Sequence, residues 1–171
     1  MSYETEKDTL ITLREIASKH CSKSITIGAA VLPKPLIEEK EYANTLSSEF
    51  NGIVIEHHLK WTPLCEKEPG PNIDDVPSNR VGKYDFHHCD LIVDWGIRHG
   101  MKIKGHVLVW HVTTPSFVEE MSSEELKEQL KRHIFTTMNH FRGRIKEWDV
   151  VNESLGKLQK KAYSRNVQLY L

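Results

Sequence analysis

Apolar and polar positions along this chain fall into blocks whose period changes from helical to strand-like and back. Leu10, Leu13, Ile16 and Ala17 recur at helical spacing, whereas the short apolar run over 52–56 is preceded by a turn. The predicted elements are, in order, a helix over 9–19, a strand over 24–32, a helix over 38–50, a strand over 52–56, a helix over 84–99, a strand over 101–110, a helix over 122–142 and a strand over 144–153.

The helix over 122–142 has the strongest sequence signals. Ser122 and Glu125 have the S-x-x-E spacing of a capping box. Its apolar positions repeat every four residues: Leu126, Leu130, Ile134 and Met138. Gly143 is expected to end this helix, and Gly100 is expected to close the helix before it as a C′ glycine.

Prolines are expected to end the first strand and to mark a long irregular stretch further along the chain. Pro33 and Pro35 are expected to break the strand over 24–32. The stretch over 62–83 is rich in proline and glycine, and loops of this length are usually functional or disordered.

The alternation of apolar strands with helices predicts a parallel sheet covered by helices. A doubly wound open sheet is the competing architecture, and it would normally carry a glycine-rich phosphate turn after the first strand. Gly28 lies within the first strand and begins no GxGxxG motif. We therefore favour a closed barrel of β/α units over the open sheet.

Composition excludes several classes of protein. The 171 residues carry a formal charge of −1, which argues against a nucleic-acid partner or an acidic membrane surface. The chain has no apolar stretch long enough to span a bilayer, and its acidic N-terminus is not a secretory signal, so localisation stays open. Cys21, Cys65 and Cys89 form neither a CxxC motif nor a disulfide framework, and we expect buried thiols.

Polar side chains follow three successive predicted strands. They are Glu56, His57 and Lys60 after the second strand, His106, Trp110 and His111 around the end of the third, and Asn152 and Glu153 at the end of the fourth. In a barrel, the carboxyl ends of the strands meet at one mouth. Hydrogen-bonding groups beside an indole suit a sugar, and a carboxyl group there can act as a proton donor.

Each of these residues also has an ordinary explanation. His106 and Trp110 are individually more typical of a core, and Lys60 is typical of a solvated surface. Glu56 is spaced to pair with Lys60, and the polar residues after the fourth strand could cap a following helix. The evidence for a site is their joint placement at three strand ends.

Other chemistries are less well supported by the sequence. Ten histidines suggest a metal, but adjacent pairs such as His57-His58 and His87-His88 chelate poorly on a strand. The HxH, HExxH and GxSxG patterns are absent. We therefore expect no metal, no other cofactor and no catalytic serine.

Three motifs together carry a family resemblance. FNGIVIEHHLKW at 50–61, GHVLVWH at 105–111 and WDVVNE at 148–153 resemble glycoside hydrolase family 10, the endo-1,4-β-xylanases, in the same order and at compatible spacing. The likeness covers roughly Leu10 to Ser154. It implies a TIM-type (β/α)₈ barrel that hydrolyses β-1,4-xylan with retention of configuration.

The resemblance also implies roles for individual residues. Glu153 would be the general acid/base, and xylan or xylo-oligosaccharides would be the partner. The residues implied to contact substrate are Glu56, His57, Lys60, His106, Trp110 and Asn152. Two positions depart from the family pattern, because His57 stands where the family usually has Asn, and Thr113 where it often has Gln.

The largest departure is length. The family nucleophile lies on the seventh strand, and here the likeness fades after the fourth, so we expect the nucleophile to be absent from this chain. Residues 1–154 are assigned to the first four β/α units, a half barrel, and 155–171 to a divergent tail without a family match. Glu56 and Asp149 are poor substitutes as nucleophile, because Glu56 belongs to a distal subsite and Asp149 lies deep in its strand.

A half barrel exposes the edges of its first and fourth strands. We expect such a chain to self-associate through these edges, by aggregation or by dimerisation that completes a barrel, or to remain partly unfolded. Xylan hydrolysis is the function predicted at family level. The alternative is a non-catalytic carbohydrate-binding protein or a truncated fragment.

Overall fold

The computed structural model describes residues 11–19, 25–65 and 84–154. Its helices are α1 (Leu13–Lys19), α2 (Pro33–Glu38), α3 (Lys40–Glu49), α4 (Trp61–Cys65), α5 (His87–Arg98) and α6 (Ser123–His140), with 3₁₀ turns at His111–Thr113 and Ser116–Val118. Its strands are β1 (Gly28–Val31), β2 (Gly52–Ile55), β3 (Lys102–Trp110) and β4 (Glu147–Asn152). Predictions made for 1–10, 66–83, Cys21 and the tail 155–171 lie outside the described residues.

The four strands form one parallel sheet in the order β1-β2-β3-β4. The order follows the chain without the reversal that defines a doubly wound sheet. This confirms the predicted architecture, because four consecutive β/α units wound in one direction make up the first part of a (β/α)₈ barrel.

The core lies between the sheet and its helices. Its fully buried members include Val31, Ile55, Leu59, Leu64, Ile92, Val93 and Phe141. A smaller cluster of Trp61, Cys65 and Val118 packs beneath the segment that follows β3. Cys65 and Cys89 are both buried thiols, as expected, and burial raises the pKa of Cys89 to about 12.

Two helices lie where the sequence predicted none. The first strand ends before Pro33, as expected, but Pro33 also begins α2, a helix that was not predicted. Proline is tolerated in the first helical turn, where its missing N–H would have no partner within the helix. The stretch predicted to be irregular from residue 62 begins instead with α4, Trp61–Cys65.

Helix α6 has the predicted cap but a different buried side. Ser122 Oγ accepts a hydrogen bond from the Glu125 N–H, and the Glu125 carboxylate accepts one from the Ser122 N–H at 2.8 Å, which confirms the capping box. The buried positions are Gln129, His133 and Thr137. Each of the apolar residues Leu130, Ile134 and Met138 directly follows one of these buried positions in the sequence. Their side chains therefore lie on an adjoining side of the helix, which is only partly covered.

Two glycines allow conformations or contacts that a side chain would hinder. Gly100 follows α5 with φ +64°, the left-handed conformation expected of a residue that ends a helix. Gly105 lies under the indole of Trp148, and a Cβ at this position would overlap the ring. Strand β4 therefore depends on Gly105 for its close approach to β3.

Candidate active site

Side chains from the ends of three strands meet in one group. Trp110, the last residue of β3, donates its Nε1–H to Glu153 Oε2 at 2.8 Å. Lys60, in the turn after β2, places Nζ 4.8 Å from the centroid of the Trp110 ring, within cation–π range. Lys60, Trp110 and Glu153 thus form the cluster that convergent parallel strands were expected to produce.

Glu153 leaves the strand in an unusual backbone conformation. The last register pair of the sheet joins Trp110 to Asn152, and Glu153 follows with φ +55°. Residues other than glycine adopt this left-handed region at a cost of about 1–2 kcal/mol. Glu153 is exposed, so its carboxylate reaches Trp110 at an open surface.

A second polar group joins β3 and β4 closer to the middle of the two strands. Asp149 Oδ2 accepts a hydrogen bond from His106 Nδ1 at 3.0 Å, and Asp149 Oδ1 forms an ion pair with Lys104 Nζ at 2.8 Å. Partial burial opposes ionisation of Asp149, but the bonds and charges of Lys104 and His106 outweigh it and lower the pKa of this carboxyl. Because a carboxylate only accepts, His106 carries hydrogen on Nδ1 and directs Nε2 away from Asp149.

The remaining predicted site residues have other contacts or none in this cluster. Glu56 and His57 are exposed directly after β2, and the ring of His57 lies 5.6 Å from that of His58. Among the described residues, no salt bridge joins Glu56 to Lys60. Asn152 is half-buried beside Trp110 in the register of the sheet.

The adjacent histidines pack against each other across two elements. The rings of His58 and His88 lie 4.7 Å apart, and burial, followed by the neighbouring His88 and His57, lowers the pKa of His58. Over the ranges 11–19, 25–65 and 84–154, no three histidine, cysteine or acidic side chains come together as a metal-binding group.

None of the helices in these ranges combines the length and apolar character that crossing a bilayer requires.

Sequence reasoning missed Lys104 and the role of Asp149 as its partner. The signal was available in part, because Lys104 and His106 are two residues apart and so lie on one face of β3. Their contact with Asp149 depends on the register that pairs His106 with Asp149. That register follows from the sheet and cannot be deduced from either strand alone.

The sheet is parallel, and a carboxylate, an indole and an ammonium group lie together at the carboxyl ends of its strands. This arrangement is typical of (β/α)₈-barrel enzymes. The profile of glycosyl hydrolase family 10 matches residues 13–169. The chain therefore belongs to glycosyl hydrolase family 10, a family of glycoside hydrolases. The match extends into 155–169, where no likeness was identified from the motifs.

Proteins with sequences similar to this chain include two xylanases. A β-1,4-xylanase of Dictyoglomus thermophilum is 38% identical over 130 residues, which are 76% of this chain and 32% of that protein. Endo-1,4-β-xylanase B of Paenibacillus barcinonensis is 31% identical, over 78% of this chain and 37% of its own length. The chain thus spans about a third of these curated relatives.

Solved structures show the same partial overlap. A family 10 xylanase of Thermobacillus composti superposes with a TM-score of 0.69 at 30% identity, covering 85% of this chain and 41% of that one. Xylanase 10B of Thermotoga petrophila, solved with xylobiose, gives a TM-score of 0.68 at 33% identity, over 84% and 40% of the two chains.

Proposed function

We propose that this chain carries the proton-transferring part of a retaining β-1,4-xylan hydrolase, with Glu153 as general acid/base. The observation that carries the proposal is the Trp110–Glu153 hydrogen bond of 2.8 Å at the end of β3 and β4. It holds one carboxyl group at the edge of the sheet where the barrel mouth lies. Family membership and the xylanase relatives support the substrate class.

The hydrogen bond assigns the two carboxyl oxygens different tasks. An indole N–H can only donate, so Oε2 acts as an acceptor for Trp110. The transferable proton then belongs on Oε1, which would give it to the leaving glycosidic oxygen. In the second step of a retaining mechanism, the same carboxylate takes a proton from the attacking water.

A retaining mechanism also needs a nucleophilic carboxylate about 5 Å from the acid/base. The family resemblance assigns it to the seventh strand, and the structure describes four. Asp149 is unsuited to the task because Lys104 and His106 occupy both of its oxygens. The proposal therefore assigns Glu153 alone and expects the 171-residue chain to bind substrate without cleaving it.

We assign substrate binding to the residues that the family resemblance implies. Lys60, His106 and Asn152 would supply donors and acceptors for sugar hydroxyls, and the Trp110 indole would supply an apolar surface. At position 57 an imidazole stands where the family usually has the amide of Asn, and it can still donate a hydrogen bond to a sugar hydroxyl. Glu56 would contact sugar at the far edge of the substrate-binding surface. We expect xylo-oligosaccharides to occupy this surface.

The test combines calorimetric titration of the chain with xylotriose and a reducing-sugar assay on xylan. We expect binding to the wild type and to Glu153→Gln, and no sugar release above that of Glu153→Gln. Turnover that Glu153→Gln abolishes would overturn the assignment of the nucleophile to another strand. A failure of both forms to bind would overturn the site itself. Lys102→Gln is the control, because Lys102 is exposed at the start of β3, at the opposite end of the strand from Trp110.

The outer edge of β4 extends the proposal to self-association. Among the described strands β4 pairs with β3 alone, Val150 and Val151 are 52% and 45% exposed, and such an edge favours pairing with another strand. Sedimentation should show oligomers whose fraction rises with concentration and falls in Val151→Lys. A monomer at all concentrations would contradict this.

A further inference from the structure

His133 is the most deeply buried ionisable ring among the described residues, and it lies outside the cleft. It projects from α6 with 0% of its surface exposed, while most histidines of the described chain are partly or fully exposed. Burial of a polar ring without hydrogen bonds costs free energy, so the hydrogen-bond partners of His133 indicate its structural role.

Both ring nitrogens of His133 have a defined partner. Nε2 lies 2.8 Å from the carbonyl oxygen of Leu108, which only accepts, so Nε2 carries the hydrogen. Nδ1 of the neutral ring is then the acceptor for the Tyr84 hydroxyl at 3.0 Å. Burial lowers the pKa of His133 to about 4 despite the Leu108 bond, so the ring is neutral and has a single tautomer near neutral pH.

The same ring also stacks on an indole. The rings of His133 and Trp61 lie 4.3 Å apart and are inclined by only 10°. Trp61 directly follows Lys60, and Leu108 precedes Trp110 by two residues. One imidazole therefore contacts the chain beside each of two residues that belong to the cleft.

We propose that His133 is a positioning residue for the cleft, which fixes Lys60 and Trp110 relative to each other through Trp61 and Leu108. The contacts then continue from Lys60 over the Trp110 ring at 4.8 Å and from Trp110 to Glu153 at 2.8 Å. A loss of the His133 bonds shifts the end of β3 and weakens the hydrogen bond to Glu153. The proposal uses the proposed function only for its ligand-binding consequence.

The direct test follows the indole N–H resonance of Trp110 in ¹⁵N-labelled protein. His133→Phe keeps a flat ring against Trp61 but removes both hydrogen bonds, and we expect the Trp110 resonance to move. His133→Gln, which retains a donor and an acceptor, should restore much of the wild-type position. His140→Gln is the matched control two turns along α6, where His140 bonds to Asp90 and stacks on Phe86. It should leave the Trp110 resonance in place.

A ligand-binding measurement adds a second readout. Small displacements of a site are costly, so His133→Phe should weaken xylotriose binding on the order of tenfold, while His140→Gln should not. If the wild type does not bind xylotriose, the proposed function fails, yet the Trp110 resonance still decides the role of His133.

The result that would overturn the inference is a Trp110 resonance in His133→Phe that matches the wild type. If His133→Phe does not fold, Tyr84→Phe serves instead, because it removes only the bond to Nδ1. The same shift in smaller degree supports the inference, and an unchanged resonance overturns it.

Discussion

Strands β2 and β4 both carry β-branched apolar residues but have different surroundings. β2 is almost entirely buried, with Ile55 fully covered, because β1 and β3 flank it and α5 packs on it. β4 pairs with β3 alone among the described strands and leaves Val150 and Val151 about half exposed. The comparison shows that apolar character predicts a strand, whereas burial depends on which elements cover it.

Helix α6, beside β4, also has an apolar side that is only partly buried. A groove of about 310 Å³ opens between α6 and β4. Its apolar lining is Ile134, Phe135, Met138, Ile145 and Trp148. The side of α6 that faces the core instead carries Gln129, His133 and Thr137, all buried. The most apolar stripe of α6 is therefore its less buried one.

The largest difference between the two strands should appear in core deletions. Ile55→Ala removes a fully buried side chain from β2 and should lower the free energy of unfolding by about 3 kcal/mol. Val151→Ala on β4 should cost below about 1 kcal/mol, since that side chain is already partly in water. Urea titration of both variants checks this, and equal losses would show that β4 is covered in solution.

Acidification should distinguish the buried and open sides of α6. The unfolded His133 has a pKa near 6.5 and the folded one about 4, so between these values the unfolded chain binds a proton that the folded chain does not. Stability therefore falls as pH falls through this window, by up to about 3 kcal/mol at its lower end.

Urea titrations at several pH values measure that slope. His133→Gln should reduce it, and part should remain because the pKa of His58 is also lowered. His140→Gln, on the same helix, should keep the loss due to His133. An unchanged slope in His133→Gln would contradict the assignment.

The smallest effect is expected at the ion pair between β3 and β4. Lys104 is half exposed, so Lys104→Met should change the free energy of unfolding by less than about 1 kcal/mol. Added NaCl should reduce the difference, because salt screens an exposed pair. Thermal unfolding at low and high NaCl tests this, and a large salt-independent loss would indicate that packing, not charge, holds β4.

Periodicity and turn residues were sufficient to predict all four strands and the capped helix α6, because these depend on local pattern. The cluster of Lys60, Trp110 and Glu153 was also predictable, since parallel strand ends converge. Helix α2 was not predicted because Pro33 marks the end of the preceding strand, although proline also suits the first turn of a helix. The Asp149 pairing and the tautomer of His133 depend on register and burial, which exist only after folding.

The backbone of Glu153 has a consequence for how this sequence tolerates change. At φ +55°, glycine would be more stable than glutamate, so Glu153→Gly should raise the melting temperature while removing the carboxyl group. Selection for thermal robustness alone would therefore tend to discard the acid. What glutamate supplies here, and glycine cannot, is the carboxyl group that accepts the Trp110 hydrogen bond.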